Sequence, residues 1–127
     1  MYFILRYLVE KNIIFFKWFF ISSLICTLFV SLDIFYQLTF SIDVLGLKPL
    51  HPSKLSGPFG DELIAGAYIH KFSLFSIFVL PFFKFKKPYL SLVLSALFLI
   101  YMTAIILSGN RMSLVLFLLS IFLILLF

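Results

Sequence analysis

Pro88-Tyr-Leu-Ser-Leu-Val-Leu-Ser-Ala-Leu-Phe-Leu-Ile-Tyr-Met-Thr-Ala-Ile-Ile-Leu107 contains no charged residue. It has the length of helix that a hydrocarbon layer requires. About 20 apolar residues rising 1.5 Å each cover the ~30 Å core of a bilayer, and in lipid each backbone amide must be satisfied within its own helix. Pro88 opens the run at a position where a helix tolerates a missing N–H. The segment is read as a membrane-crossing helix, and its neighbours follow the same logic.

Three further spans are expected. One runs from Ile13 to Tyr36 and is wholly uncharged from Trp18 to Leu32, with Lys17 near enough to its end to snorkel outward. A second covers residues 61–83 and ends at the basic cluster Lys84, Lys86, Lys87. A fourth, residues 111–127, stays uncharged after Arg111; from Met112 onward it gives about 24 Å of helix with no polar flank after it. Met1 to Val9 is apolar except for Arg6 and is followed by Glu10-Lys11-Asn12, which reads as the tail of an earlier span. Truncation at both ends is the expectation. The N-terminus lacks the pattern of a cleaved secretory signal.

Composition agrees. The 127 residues are 64% hydrophobic and 12% charged, with a mean hydropathy of +1.21, and no soluble core of this size would hide 19 Phe. The net charge of +5 does not point to nucleic acid, because the basic residues flank apolar runs instead of clustering on a polar surface. Arg6, Lys11, Lys17, Lys84, Lys86 and Lys87 fall on one side and Lys48, Lys54 and Arg111 on the other, so the richer side is cytoplasmic. Asp33, Asp43, Asp61 and Glu62 then lie at or beyond the outer surface. The fold expected is all-α: a multi-pass transmembrane bundle of about four spans, with an outer loop at residues 37–60 punctuated by Gly46, Pro49, Pro52, Gly57, Pro58 and Gly60.

Candidate chemistry gathers on that outer side. Asp61 and Glu62 are placed in the first turn of the second span, where the helix dipole favours carboxylates; capping explains them, and so does positioning a basic partner or a sugar hydroxyl. Gly66, Ile69 or His70, and Ser73 continue a small, polar stripe from Glu62 into the bundle. His70 and Lys71, roughly 12 to 14 Å deeper, are costly there unless they face protein or water. They are open to a packing role as well as a catalytic one. Arg111 sits on the outer side against the positive-inside preference. It is open to two readings, an interfacial anchor or ion-pair partner and a grip on diphosphate through its planar fork. The single cysteine, Cys26, is assigned to packing, and two histidines leave little room for a metal site. No nucleotide-binding, zinc-protease or serine-hydrolase motif is present.

Taken in order, Asp33-Ile-Phe-Tyr-Gln37, Asp43-Val-Leu-Gly46, Leu55-Ser-Gly-Pro-Phe-Gly-Asp-Glu-Leu-Ile64 with Gly66 and Tyr68, and Ser108-Gly-Asn-Arg-Met112 resemble the O-antigen ligase and O-antigen polymerase family over essentially the whole chain. The resemblance implies a piece of a multi-pass glycosyltransferase of the bacterial inner membrane. Such enzymes move glycan from undecaprenyl diphosphate onto lipid A core or another glycan acceptor, without cofactor or metal. It implies a carrier-binding set of Arg111, Asp61, Glu62, Lys54 and Tyr68, with Arg111 in the place of the arginine thought to hold the diphosphate. Lys54 stands where relatives usually carry Arg, and Ala67 where a Ser is common. The loop bearing the family's catalytic histidine would follow the fourth span, beyond Phe127, so these residues alone are not expected to catalyse. The competing expectations are a transporter or flippase of lipid-linked glycan and a non-catalytic membrane subunit.

Overall fold

The computed structural model describes residues 13–49, 51, 53–80 and 87–126. These residues form four α-helices and no strand: α1 (Ile13–Phe40), α2 (Ala65–Ile77), α3 (Lys87–Leu107) and α4 (Arg111–Leu126), with one 3-10 turn at Gly57–Phe59. The all-helical expectation therefore holds for the described residues. The expected tail of an earlier span at Met1–Val9, the flanking Arg6 and Lys11, and Lys84 and Lys86 lie outside them.

Two stretches, Lys17–Phe40 and Pro88–Leu107, are long and apolar enough to cross a membrane. Only 33% and 22% of their most apolar windows are buried, unlike the core helix of a water-soluble domain. Trp18, Ile25, Phe29 and Leu32 on α1, and Tyr89, Leu92 and Leu99 on α3, point outward.

The helices pack by their small and polar faces. Ser23, Thr27, Val30, Ser31, Ile34 and Gln37 recur every three or four residues on α1 and are all buried. Thr27 and Ser31 donate to the carbonyls four residues back, at 2.6 and 2.8 Å, and Ser23 donates across to the Phe72 carbonyl at 2.9 Å. Such side chains let helices approach closely and join them by hydrogen bonds where apolar contact with lipid offers no preference. On α2 the inward residues are Ala65, Gly66, Ile69, Ser73 and Ser76. Ser76 Oγ shares a 3.0 Å hydrogen bond with the hydroxyl of Tyr101, a fully buried residue of α3. α2 touches α1, α3 and α4, and α3 likewise touches α1, α2 and α4.

Two boundaries differ from expectation. α1 continues through Gln37 to Phe40, so the loop begins at Ser41 instead of residue 37. The second helix covers Ala65–Ile77, not 61–83. Its start is delayed because Ser56 and Phe59 carbonyls accept from Phe59 and Glu62 N–H groups, making successive turns of residues a helix would have taken. Residues 78–80 form turns, and 81–83 lie outside the described residues.

The delayed start has a structural consequence. α1 is 28 residues, about 42 Å, whereas α2 is 13 residues, about 20 Å. The upper part of α1 is consequently packed by the loop, which folds back beside Val30, Asp33 and Ile34 at Gly57. Leu55, Ser56 and Gly57 are buried, and irregular backbone in such a place requires internal partners. It has them: Leu55 N–H donates to the Leu107 carbonyl at 3.1 Å and Gly57 N–H to Gln37 Oε1 at 2.9 Å.

Candidate functional site

Where the loop meets the junction of α3 and α4, a cavity of about 690 Å³ opens. Ser53 and Lys54 line it from the loop; Ser108, Gly109, Asn110 and Arg111 line it from the junction. The junction is built for close approach. Gly109 turns the chain with φ +69°, and a β-carbon there would stand 2.7 Å from Cγ of Lys54. Gly66 of α2 lies so close that a β-carbon would collide with Ser108 Oγ and stand 2.9 Å from Cβ of Asn110. Asn110 caps α4: its Oδ1 accepts from Ser113 N–H at 3.2 Å, which leaves Arg111 as the first residue of the helix.

The five expected carrier-binding residues divide. Lys54 and Arg111 meet in this cavity, both exposed. Asp61 and Glu62 do not: they are exposed on the turns before α2, outside its first turn, and make no ion pair with Arg111. The expected helix-capping role is thereby overturned, since Ile64 occupies the cap position and no side chain caps α2. Tyr68 faces elsewhere as well. Its ring packs between Phe59 and Phe72, at 5.5 and 4.6 Å between centroids, and its hydroxyl approaches the Cys26 thiol on α1. His70 is half-buried with its ring toward the Leu116 backbone of α4, and Lys71 is exposed.

The cavity thus carries two cationic side chains and no lining carboxylate. With the Ser53 hydroxyl and the positive end of α4 beside them, it suits an anion with several oxygens; the Ser108 hydroxyl is already donated to the Ile105 carbonyl at 2.7 Å.

Sequence reasoning missed a second assembly. Asp33 and Asp43, assigned by sequence only to the outer side of the membrane, are 1% exposed and lie inside the protein, as do Gln37 and Ser56. Asp33 and Gln37 lie four apart on the same buried face as Ser23, Thr27 and Ser31, and that spacing was the available signal. Among the described residues no group of three or more His, Cys, Asp or Glu side chains gathers as a metal site. Compared with known proteins, the chain matches no family model, no curated protein and no solved structure.

Proposed function

We propose that this chain is the carrier-holding part of a multi-pass membrane glycosyltransferase of the O-antigen ligase or polymerase kind, acting at the outer face of the bacterial inner membrane. The single observation that supports this reading is the meeting of Lys54 and Arg111 in one cavity free of carboxylates, at the end of the bundle where the polar loop lies.

The chemistry follows from the residues. In transfer from undecaprenyl diphosphate the sugar–phosphate bond breaks and negative charge grows on the departing diphosphate. A guanidinium stays charged and offers paired N–H donors to phosphate oxygens, and Lys54 adds a mobile point charge. Ser53 and the first free amides of α4 lie beside them and can donate to further oxygens. An acceptor hydroxyl, on lipid A core or a growing glycan, must then lose its proton to a base, which the family resemblance assigns to a histidine outside these residues.

The test is binding of undecaprenyl diphosphate to the chain in detergent, with undecaprenyl monophosphate and undecaprenol as comparisons. Tightest binding of the diphosphate, weakened at least about tenfold in Arg111→Ala, is expected from the loss of a charge-assisted contact. Equal binding of all three lipids, or an unaffected Arg111→Ala, would overturn the reading. For the enzyme carrying the histidine loop, transfer in detergent from purified carrier to acceptor is expected; activity confined to sealed vesicles would indicate transport instead.

A further inference from the structure

Asp33, Gln37 and Asp43 each commit one side-chain atom to the loop backbone. Asp33 Oδ1 accepts from Val44 N–H at 2.8 Å, Asp43 Oδ1 from Leu47 N–H at 2.6 Å, and Gln37 Oε1 from Gly57 N–H at 2.9 Å. Each leaves its other atom without a partner: Asp33 Oδ2, Asp43 Oδ2 and Gln37 Nε2. Ser56 Oγ is a fourth such atom, and all four residues are at most 1% exposed.

The residues that carry these atoms are linked to one another. Asp33 Oδ2 lies 3.7 Å from where a β-carbon on Gly57 would stand. Ser56 is next to Gly57 in the chain, and Gly57 is held by Gln37. Val44, held by Asp33, directly follows Asp43 in the chain. Among the described residues neither carboxylate is paired with a Lys, Arg or His. Two adjacent buried carboxylates without counter-charge are expensive, and an unsatisfied hydroxyl and amide add to the cost. A guest that neutralises both acids and accepts oxygen donors removes most of it.

We propose that this buried cluster binds a hard divalent cation, of the calcium or magnesium class, through Asp33 Oδ2, Asp43 Oδ2 and Ser56 Oγ. The donors are all oxygens, which suits these ions and not the softer transition metals. Two carboxylates balance a charge of two, water completes the coordination, and Gln37 Nε2 donates to a carboxylate or a bound water. The ion clasps the loop at Asp43 and Ser56 against Asp33 of α1. It thereby fixes the loop whose Ser53 and Lys54 line the basic cavity.

The site stands independently of the diphosphate reading, because calcium uptake and lipid binding are measured separately. The experiment is equilibrium dialysis of radioactive calcium against the chain in detergent after EDTA treatment, with thermal melting alongside in calcium, magnesium or choline chloride at matched ionic strength. Saturable calcium binding at one site is expected, together with a melting temperature raised by roughly 3–6 °C at tenfold excess over Kd. Asp33→Asn and Asp43→Asn should each lose the binding, whereas Asp61→Asn and Glu62→Gln should keep it. Ser56→Ala, which removes one neutral donor, should weaken it severalfold. If the Asn variants fail to fold, the wild-type isotherm and melting shift still decide. Absence of saturable calcium or magnesium binding to the wild type, or binding that survives both Asn substitutions, overturns the proposal.

Discussion

An open cavity and a buried polar cluster share one strip of loop, yet have opposite character. Lys54 lines an open cavity with Arg111 and no lining acid, while Ser56, two residues on, is sealed with Asp33, Asp43 and Gln37 and no base. The open cavity keeps its charges solvated, so they cost little until an anion arrives. The buried cluster holds polar groups away from water, where each must find a partner or be paid for. The difference separates two jobs: the exposed side is suited to exchange a ligand, the buried side to hold the loop that shapes the cavity.

That division can be broken first at the close approach that shapes the open cavity. Gly66→Val puts side-chain atoms where Ser108 and Asn110 already stand, and the α3–α4 junction cannot yield without moving Arg111. A loss of about 3 kcal/mol or more is expected by thermal or denaturant unfolding in detergent, with lipid binding lost as well. Retention of both would mean that the close approach of α2 to the junction is not the one described here.

Gln37→Leu sharpens the comparison on its buried side. It removes the acceptor for Gly57 N–H in a sealed place, which should lower stability by about 1–3 kcal/mol. Diphosphate binding should fall much less than in Arg111→Ala. On the open side the pattern inverts: Arg111→Ala should change stability by less than about 0.5 kcal/mol, because the side chain is exposed and makes no ion pair. Its effect belongs in the lipid-binding isotherm. A large drop in melting temperature would show Arg111 holding the fold and merge the two roles. The smallest effects are expected from Asp61→Asn and Glu62→Gln, whose side chains are exposed and outside the cavity lining. Both should keep lipid affinity within about twofold, corresponding to less than about 0.5 kcal/mol. A larger change would return the acidic pair to the carrier-binding set.

Much of the architecture was legible because it depends on local properties. An uncharged run such as Pro88–Leu107 forms a helix whatever surrounds it, and α3 and α4 begin within a residue of the expected positions. The loop's Gly and Pro residues also announced irregular backbone. Asp61 and Glu62 misled because a carboxylate before an apolar run is a fair helix-start signal, and the turns that override it need carbonyls of Ser56 and Phe59 held in place by packing on α1. Tyr68 could not be placed from sequence. Whether it looked toward Arg111 or toward Cys26 depended on which face of α2 met α1.

Run lengths of apolar residues and the position of charges were enough to define helices suited to lipid and a polar end bearing Lys54 and Arg111, since hydrophobic transfer and backbone hydrogen bonding act on each segment separately. The partnership of Asp33 with Asp43, and of both with Ser56, arose only when the loop folded back beside α1. Residues so far apart in the chain become neighbours through packing, and packing alone determined which polar atoms were closed off from water.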